Sequence, residues 1–180
     1  MSGRSDFHDS DASRLPWVEV CSTARDRILR LTCVTEHFAE LWNAEANNLG
    51  VLPWASSDSR LIPSIGEKAT LSWNRGIPFR SEFNRRMALV EIDVLVAQAL
   101  GLRLEQLIEI YRIYFPVLIK KEENIFYDQA GRIAWTSAKG MGNAGYVDAN
   151  GKNPSRAEWE KIIADNPAQL TCTAIDDTMP

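Results

Sequence analysis

The stretch from Ser81 to Leu100 limits the fold more than any other part of the chain. At about 100° per residue, Glu82, Arg86 and Asp93 fall on one stripe of a helix, and Asn84, Glu91 and Gln98 on nearly the opposite one. Two apolar flanks lie between them: Phe83, Met87, Val90 and Val94 on one side, Ala88, Leu89, Ile92, Leu95, Val96 and Ala99 on the other. A helix that is apolar on two sides must be covered on both, so this one predicts a central element sandwiched by the rest of the chain. Ser81 supplies an N-cap, because its hydroxyl can accept from an orphan amide of the first turn, and Gly101 supplies the stop.

Around that helix the sequence predicts a mainly α fold, a helical bundle with one small β-hairpin and a glycine-rich loop. Ile28, Leu31, Val34, Phe38, Leu41 and Trp42 recur at helical spacing and predict a first long helix ending near Asn47, where Asn47, Asn48 and Gly50 give a stop signal. Pro53, Pro63 and Pro78 then punctuate a loop of roughly 25 residues, a length that is either functional or packed down, here by Trp54, Ile62, Ile65, Leu71 and Trp73. Leu104, Leu107, Ile108, Tyr111 and Phe115 mark a third helix that Pro116 terminates. Ile125 to Tyr127 and Arg132 to Thr136 are β-branched and aromatic, and Asp128, Gln129, Ala130 and Gly131 between them read as a hairpin turn. The glycine-rich loop runs from Gly140 to Gly151. Ser155 with Glu158 matches the capping box of a last helix, Arg156 to Ala164, whose Trp159, Ile162 and Ile163 dock on the core before Pro167. A disordered lead-in over 1–15 and a flexible tail over 166–180 flank a single domain over 16–165, with its hairpin near 125–136.

Composition bounds the function. The chain has 180 residues, 45% hydrophobic and 24% charged, which is globular and sized for one core. A net charge of −4 excludes a surface that is everywhere an electrostatic glove for nucleic acid, so any polyanion site must be local. From Arg75 to Lys139 ten Lys and Arg stand against eight Asp and Glu, a mild local excess. Cys21, Cys33 and Cys172 are odd in number and lack CxxC spacing, which points to a reducing cytoplasm rather than to a disulfide framework or a zinc site. No apolar run approaches the ~18 residues of a membrane span, so the expectation is a soluble cytoplasmic protein.

Few constellations could carry chemistry. Gly140, Gly142 and Gly145 spell GxGxxG, but no helix follows whose N-terminus could hold an anion, and a plain glycine-rich loop is the better reading. Glu91 and Asp93, two apart on a helix, point about 160° away from each other and read as polar edge residues. Asn166-Pro167-Ala168-Gln169 lacks the second proline and the aromatic of an adenine-methyltransferase loop. His8 and His37 have no second ligand at metal spacing. Ala97, Gly101, Leu102, Leu107 and Ile110 follow helix-turn-helix spacing, but the surface offered (Arg103, Glu105, Gln106, Glu109, Arg112) carries two acids, so an ordinary αα-hairpin fits better. The densest basic patch is Arg75, Arg80, Arg85 and Arg86, interleaved with Trp73, Phe79 and Phe83. Guanidinium with aromatic rings is a combination that grips phosphate and bases. Arg132 and Lys139 from the hairpin could join it.

The runs FRSEFNRRMALVEIDVLVAQALGL (Phe79 to Leu102), IYRIYFPVL (Ile110 to Leu118) and FYDQAGRIAWTSAKG (Phe126 to Gly140), with LTCVTEHFAELW (Leu31 to Trp42) before them, make a set in fixed order. This set resembles the C-terminal region of bacterial type IIG-like restriction and modification enzymes, the S-adenosylmethionine-dependent adenine DNA methyltransferases of phage defence. The resemblance implies a truncated or separately encoded C-terminal piece. The cofactor-binding and catalytic motifs of such enzymes lie upstream and are not among these residues, and after Gly140 the sequence departs from the basic continuation of the family. The implied function is an accessory or DNA-recognition segment that is not catalytic alone, with S-adenosylmethionine held by the parent enzyme and none by this chain. Its partners would be DNA and a methyltransferase core. The alternatives are a structural docking scaffold for that core and a free-standing helix-turn-helix regulator.

Overall fold

The computed structural model describes residues 13–14, 17–49, 71–122, 125–127, 130–136, 154–165 and 173–174. Its elements are α1 (Ser22–Thr32), a 3₁₀ turn (Glu36–Phe38), α2 (Ala39–Glu45), a second 3₁₀ turn (Ala46–Asn48), α3 (Glu82–Ala99), α4 (Leu104–Tyr114), α5 (Pro116–Glu122), β1 (Ile125–Tyr127), β2 (Ile133–Thr136), α6 (Arg156–Asp165) and β3 (Thr173–Ala174). The fold is mainly α, and its longest helix is the one that the two apolar flanks predict.

Helix α3 begins as its sequence dictates, with the Ser81 hydroxyl accepting from the Asn84 amide at 3.2 Å. It ends in a Schellman motif: Gly101 N–H reaches Gln98 O at 2.9 Å, Leu102 N–H reaches Ala97 O at 2.9 Å, and Gly101 takes φ +74°. Helices α1 and α4 pack on it, and Phe83 and Met87 at its start meet Tyr127, Ile133 and Ile125 of the hairpin. Phe83 N–H donates to Gly131 O at 3.0 Å, which satisfies an orphan amide of α3 from the hairpin turn. Gly131 has φ +72°, and a Cβ there would stand 2.9 Å from Ser81 Oγ, so only glycine lets the turn sit this close. The two-sided burial is not complete, however. Leu89, expected on a covered flank, is half exposed.

The first helix is broken where one continuous helix is expected. Thr32, Val34 and Thr35 are β-branched and lose side-chain freedom against the preceding turn, and Thr32 Oγ1 bonds back to Ile28 O at 2.8 Å. The chain leaves α1 at Cys33 and turns, and α2 and the 3₁₀ turn after it then return Trp42 and Ala46 to a cluster with Leu29, Cys33 and Ile77. Burial pushes the Cys33 thiol pKa up. Trp73 packs on the cluster and donates its indole N–H to Cys33 O at 2.8 Å, whereas Leu71, expected to hold the loop down, is exposed. Trp54, Ile62 and Ile65 lie outside the described residues.

Pro116 does not end the helical region. It ends α4 and opens α5, since a proline at the first helical position gives up an amide that would be unpaired anyway. The hairpin forms as expected, with Phe126 opposite Trp135, and a register shift after Phe126 puts Tyr127 opposite Ile133. Phe126 and Trp135 form a second core with Trp159 and Ile162 of α6, where Trp135 and Trp159 stack at 6.3 Å between ring centroids. The Ser155–Glu158 capping box is present, with Ser155 N–H donating to Glu158 Oε2 at 2.7 Å. The expectation of a flexible tail over 166–180 is corrected at one point: Thr173–Ala174 pairs antiparallel with β1, completing a sheet of order β2-β1-β3. The glycine-rich loop lies outside the described residues.

Candidate functional site

The basic patch is where the sequence places a nucleic-acid contact, and the structure puts its arginines to several uses. Arg85 donates from one guanidinium nitrogen to Leu31 O at 3.3 Å and to Phe79 O at 3.2 Å. Arg80 reaches Val34 O at 3.2 Å and Arg75 O at 3.0 Å. These two side chains therefore satisfy carbonyls at and just beyond the C-terminus of α1, the end at which a helix dipole favours a cation. Arg86 pairs instead with Glu122 of α5. Arg75 and Arg132 are exposed, and Lys139 lies outside the described residues. Of the four clustered arginines, three are drawn into internal bonds, Arg85 and Arg86 to other helices and Arg80 to the segments around them. Phe79 and Phe83 are buried in cores, and Trp73 is turned onto one, so these rings do not form a stacking platform for bases.

Sequence reasoning missed a buried charge network. Asp26, Arg27 and Arg30 on α1 are 3%, 3% and 5% exposed. Arg30 Nε donates to both Asp26 oxygens, at 3.0 and 3.1 Å, and Arg30 also reaches Ile77 O at 3.2 Å. Its guanidinium lies over the Trp42 and Phe79 rings, 5.8 and 5.5 Å from their centroids. Arg27 bonds Asp26 at 2.6 Å and Glu91 of α3 at 2.7 Å. Two cations and two carboxylates thus meet inside the molecule, and Glu91 is not the polar edge residue that its helical position suggests. The Asp26–Arg30 spacing of four was the available signal. Glu91 and Asp93 do have separate partners, as their opposed directions require.

A second polar group joins α3 to α4 and α5. The Tyr111 hydroxyl donates to the Asp93 carboxylate, and Arg86 pairs with Glu122 nearby. Burial, then the hydrogen bond to Asp93 and its charge, raise the Tyr111 pKa above the ordinary phenol value, with Arg86 opposing.

Helix α4 shows the most informative surface. None of its eleven residues is buried, although Leu and Ile recur along it. At its junction with α5, Ile113 and Tyr114 are 65% and 72% exposed, and Phe115, Val117 and Leu118 are exposed beside them. The side chains offered to a DNA groove by the helix-turn-helix spacing, Arg103, Glu105, Gln106, Glu109 and Arg112, are all exposed. Among them Gln106 Oε1 accepts from Arg103 N–H at 2.9 Å as a cap of α4.

Among the described residues no three His, Cys, Asp or Glu side chains gather as a metal site, and His37 is exposed beside Phe38. His8, the GxGxxG loop and Asn166-Pro167 lie outside the described residues. No helix among the described residues is long and apolar enough to cross a membrane. The chain matches no protein-family model, no curated protein and no solved structure.

Proposed function

We propose that this chain is a non-catalytic accessory segment that packs, in the cytoplasm, against the S-adenosylmethionine-dependent core of an adenine DNA methyltransferase of the type IIG-like kind. The observation that carries this reading is the uncovered apolar surface of α4 and α5, because exposed large apolar residues grouped at one helix junction mark a surface made to be covered. The resemblance supplies the partner. The engagement of Arg80, Arg85 and Arg86 in internal bonds favours docking on protein over a direct hold on DNA. Within the assembled enzyme, the exposed Arg75 and Arg132 are the described positions from which the segment would reach phosphate.

Two measurements test this. The chain should co-purify with an adenine DNA methyltransferase core of this kind co-expressed with it, and Ile113→Ser with Val117→Ser should abolish that association. Titrated alone with labelled duplex, the chain should bind weakly and with a shallow salt dependence. Tight, strongly salt-dependent binding that is lost in Arg75→Ala with Arg132→Ala would replace docking by direct DNA recognition. Replacing Arg80, Arg85 and Arg86 together is a poor probe of DNA contact, since it also strips helix ties from the fold.

A further inference from the structure

The polar stripe Glu82, Arg86 and Asp93 of α3, which should face water in a helix covered on its apolar flanks, is where α4 and α5 are fastened. Asp93 accepts from Tyr111 and Arg86 pairs with Glu122. The two anchor residues on α3 are seven apart, two turns along one face. The Arg86 and Glu122 side chains are both 22% exposed, so this tie is reached by water. Helix α4 contributes no buried residue, and neither does any described side chain of α5. The two helices are nevertheless joined to each other. Phe115 O accepts from Leu118 and Ile119 N–H at 3.0 and 3.1 Å, and the Tyr111 and Phe115 rings lie 5.5 Å apart. At the other end, Gly101 has nothing within 4 Å of the place a Cβ would take, so the connector is not wedged against the body. Helix α1, by contrast, is fixed to α3 through buried Arg27 and mostly covered Glu91.

From this we infer that α4 and α5 form an arm that opens from α3 as one unit, separately from global unfolding, with the Tyr111–Asp93 and Arg86–Glu122 pairs as its two latches. Regions with few buried apolar contacts and solvent-reached hydrogen bonds open at lower free energy than the core they rest on. Opening releases Leu107, Ile108 and Tyr111, half-buried in the closed form, and joins them to the apolar surface already exposed at Ile113 to Leu118. The inference uses only this chain's own contacts and stands whether or not a methyltransferase core is the partner.

Hydrogen exchange of the full chain, read by mass spectrometry, tests it. Peptides covering 104–122 should exchange at least about tenfold faster than those covering 22–32 and 82–99, with little dependence on low denaturant. Tyr111→Phe with Glu122→Gln should speed exchange of 104–122 by about a further tenfold and leave the other two segments unmoved. If the double variant does not fold, Tyr111→Phe alone is read by the same criterion. Equal protection and equal denaturant dependence in all three segments, or a variant that accelerates all three alike, would overturn the arm.

Discussion

Helices α1 and α4 are both eleven residues long, and the fold uses them in opposite ways. The first buries Asp26, Arg27 and Arg30; the second, rich in Leu and Ile, has no fully buried residue. Burial here follows the partners a side chain is given. Each buried charge on α1 meets an opposite charge within hydrogen-bond distance, and Arg30 is also sheathed by Trp42 and Phe79. Desolvating such charges is costly, and the attraction compensates only while every member is paired. On α4 the apolar side chains are at most half-buried, and the described bond that fastens the helix to α3 runs to that helix's polar stripe.

Removing one partner is the hardest test of the contrast. Asp26→Ala leaves two buried guanidinium groups with one carboxylate fewer and should cost about 3–5 kcal/mol in chemical denaturation. Glu91→Gln keeps the shape and an acceptor and should cost about 1–3 kcal/mol. If Asp26→Ala shifted stability by less than about 1 kcal/mol, the network would not be what holds α1 on α3.

The same contrast separates what the sequence shows from what it hides. The extent of α3, its Ser81 cap, the hairpin and the Ser155–Glu158 box are local: period, cap and turn residues lie within a few positions of one another, so they can be read directly. The network cannot. Arg27 and Glu91 are 64 positions apart, and no local rule says that a charged residue on a helix will meet its counter-ion inside. The tie of Arg85 to the Leu31 carbonyl in the last turn of α1 is hidden for the same reason, since an arginine among aromatics looks alike whether it waits for phosphate or caps a helix. The break at Cys33 was visible in the β-branched residues around it, but the apolar period running across it argued the other way. Pro116 is ambiguous in itself, as a terminator of one helix and an opener of the next.

Tyr111→Phe probes the arm's polar fastening. Loss of the bond to Asp93 should cost about 0.5–1.5 kcal/mol at neutral pH. The phenol pKa is raised in the fold, so the protonated form is the one the fold favours. The stability this contributes is fully present below the ordinary value of about 10 and declines as pH rises toward the folded one, where the unfolded chain has already released its proton. Denaturation midpoints followed from pH 8 upward should therefore fall more steeply above about pH 10 in the parent than in Tyr111→Phe. Parallel curves would place the Tyr111 hydroxyl in water.

The smallest expected effect is the sharpest statement about α4 and α5. Ile113→Ser with Val117→Ser removes two large apolar side chains, a change that in a core would cost several kcal/mol. Both residues are 65% exposed, so little of their surface leaves water on folding, and the penalty should be within about 0.5 kcal/mol of zero apart from a small helix-propensity loss. Because that propensity cost falls within the arm, exchange there can rise slightly while the body's midpoint holds. A large drop in global stability would show that this face is covered from within the chain, and the surface would then belong to the core rather than to a partner.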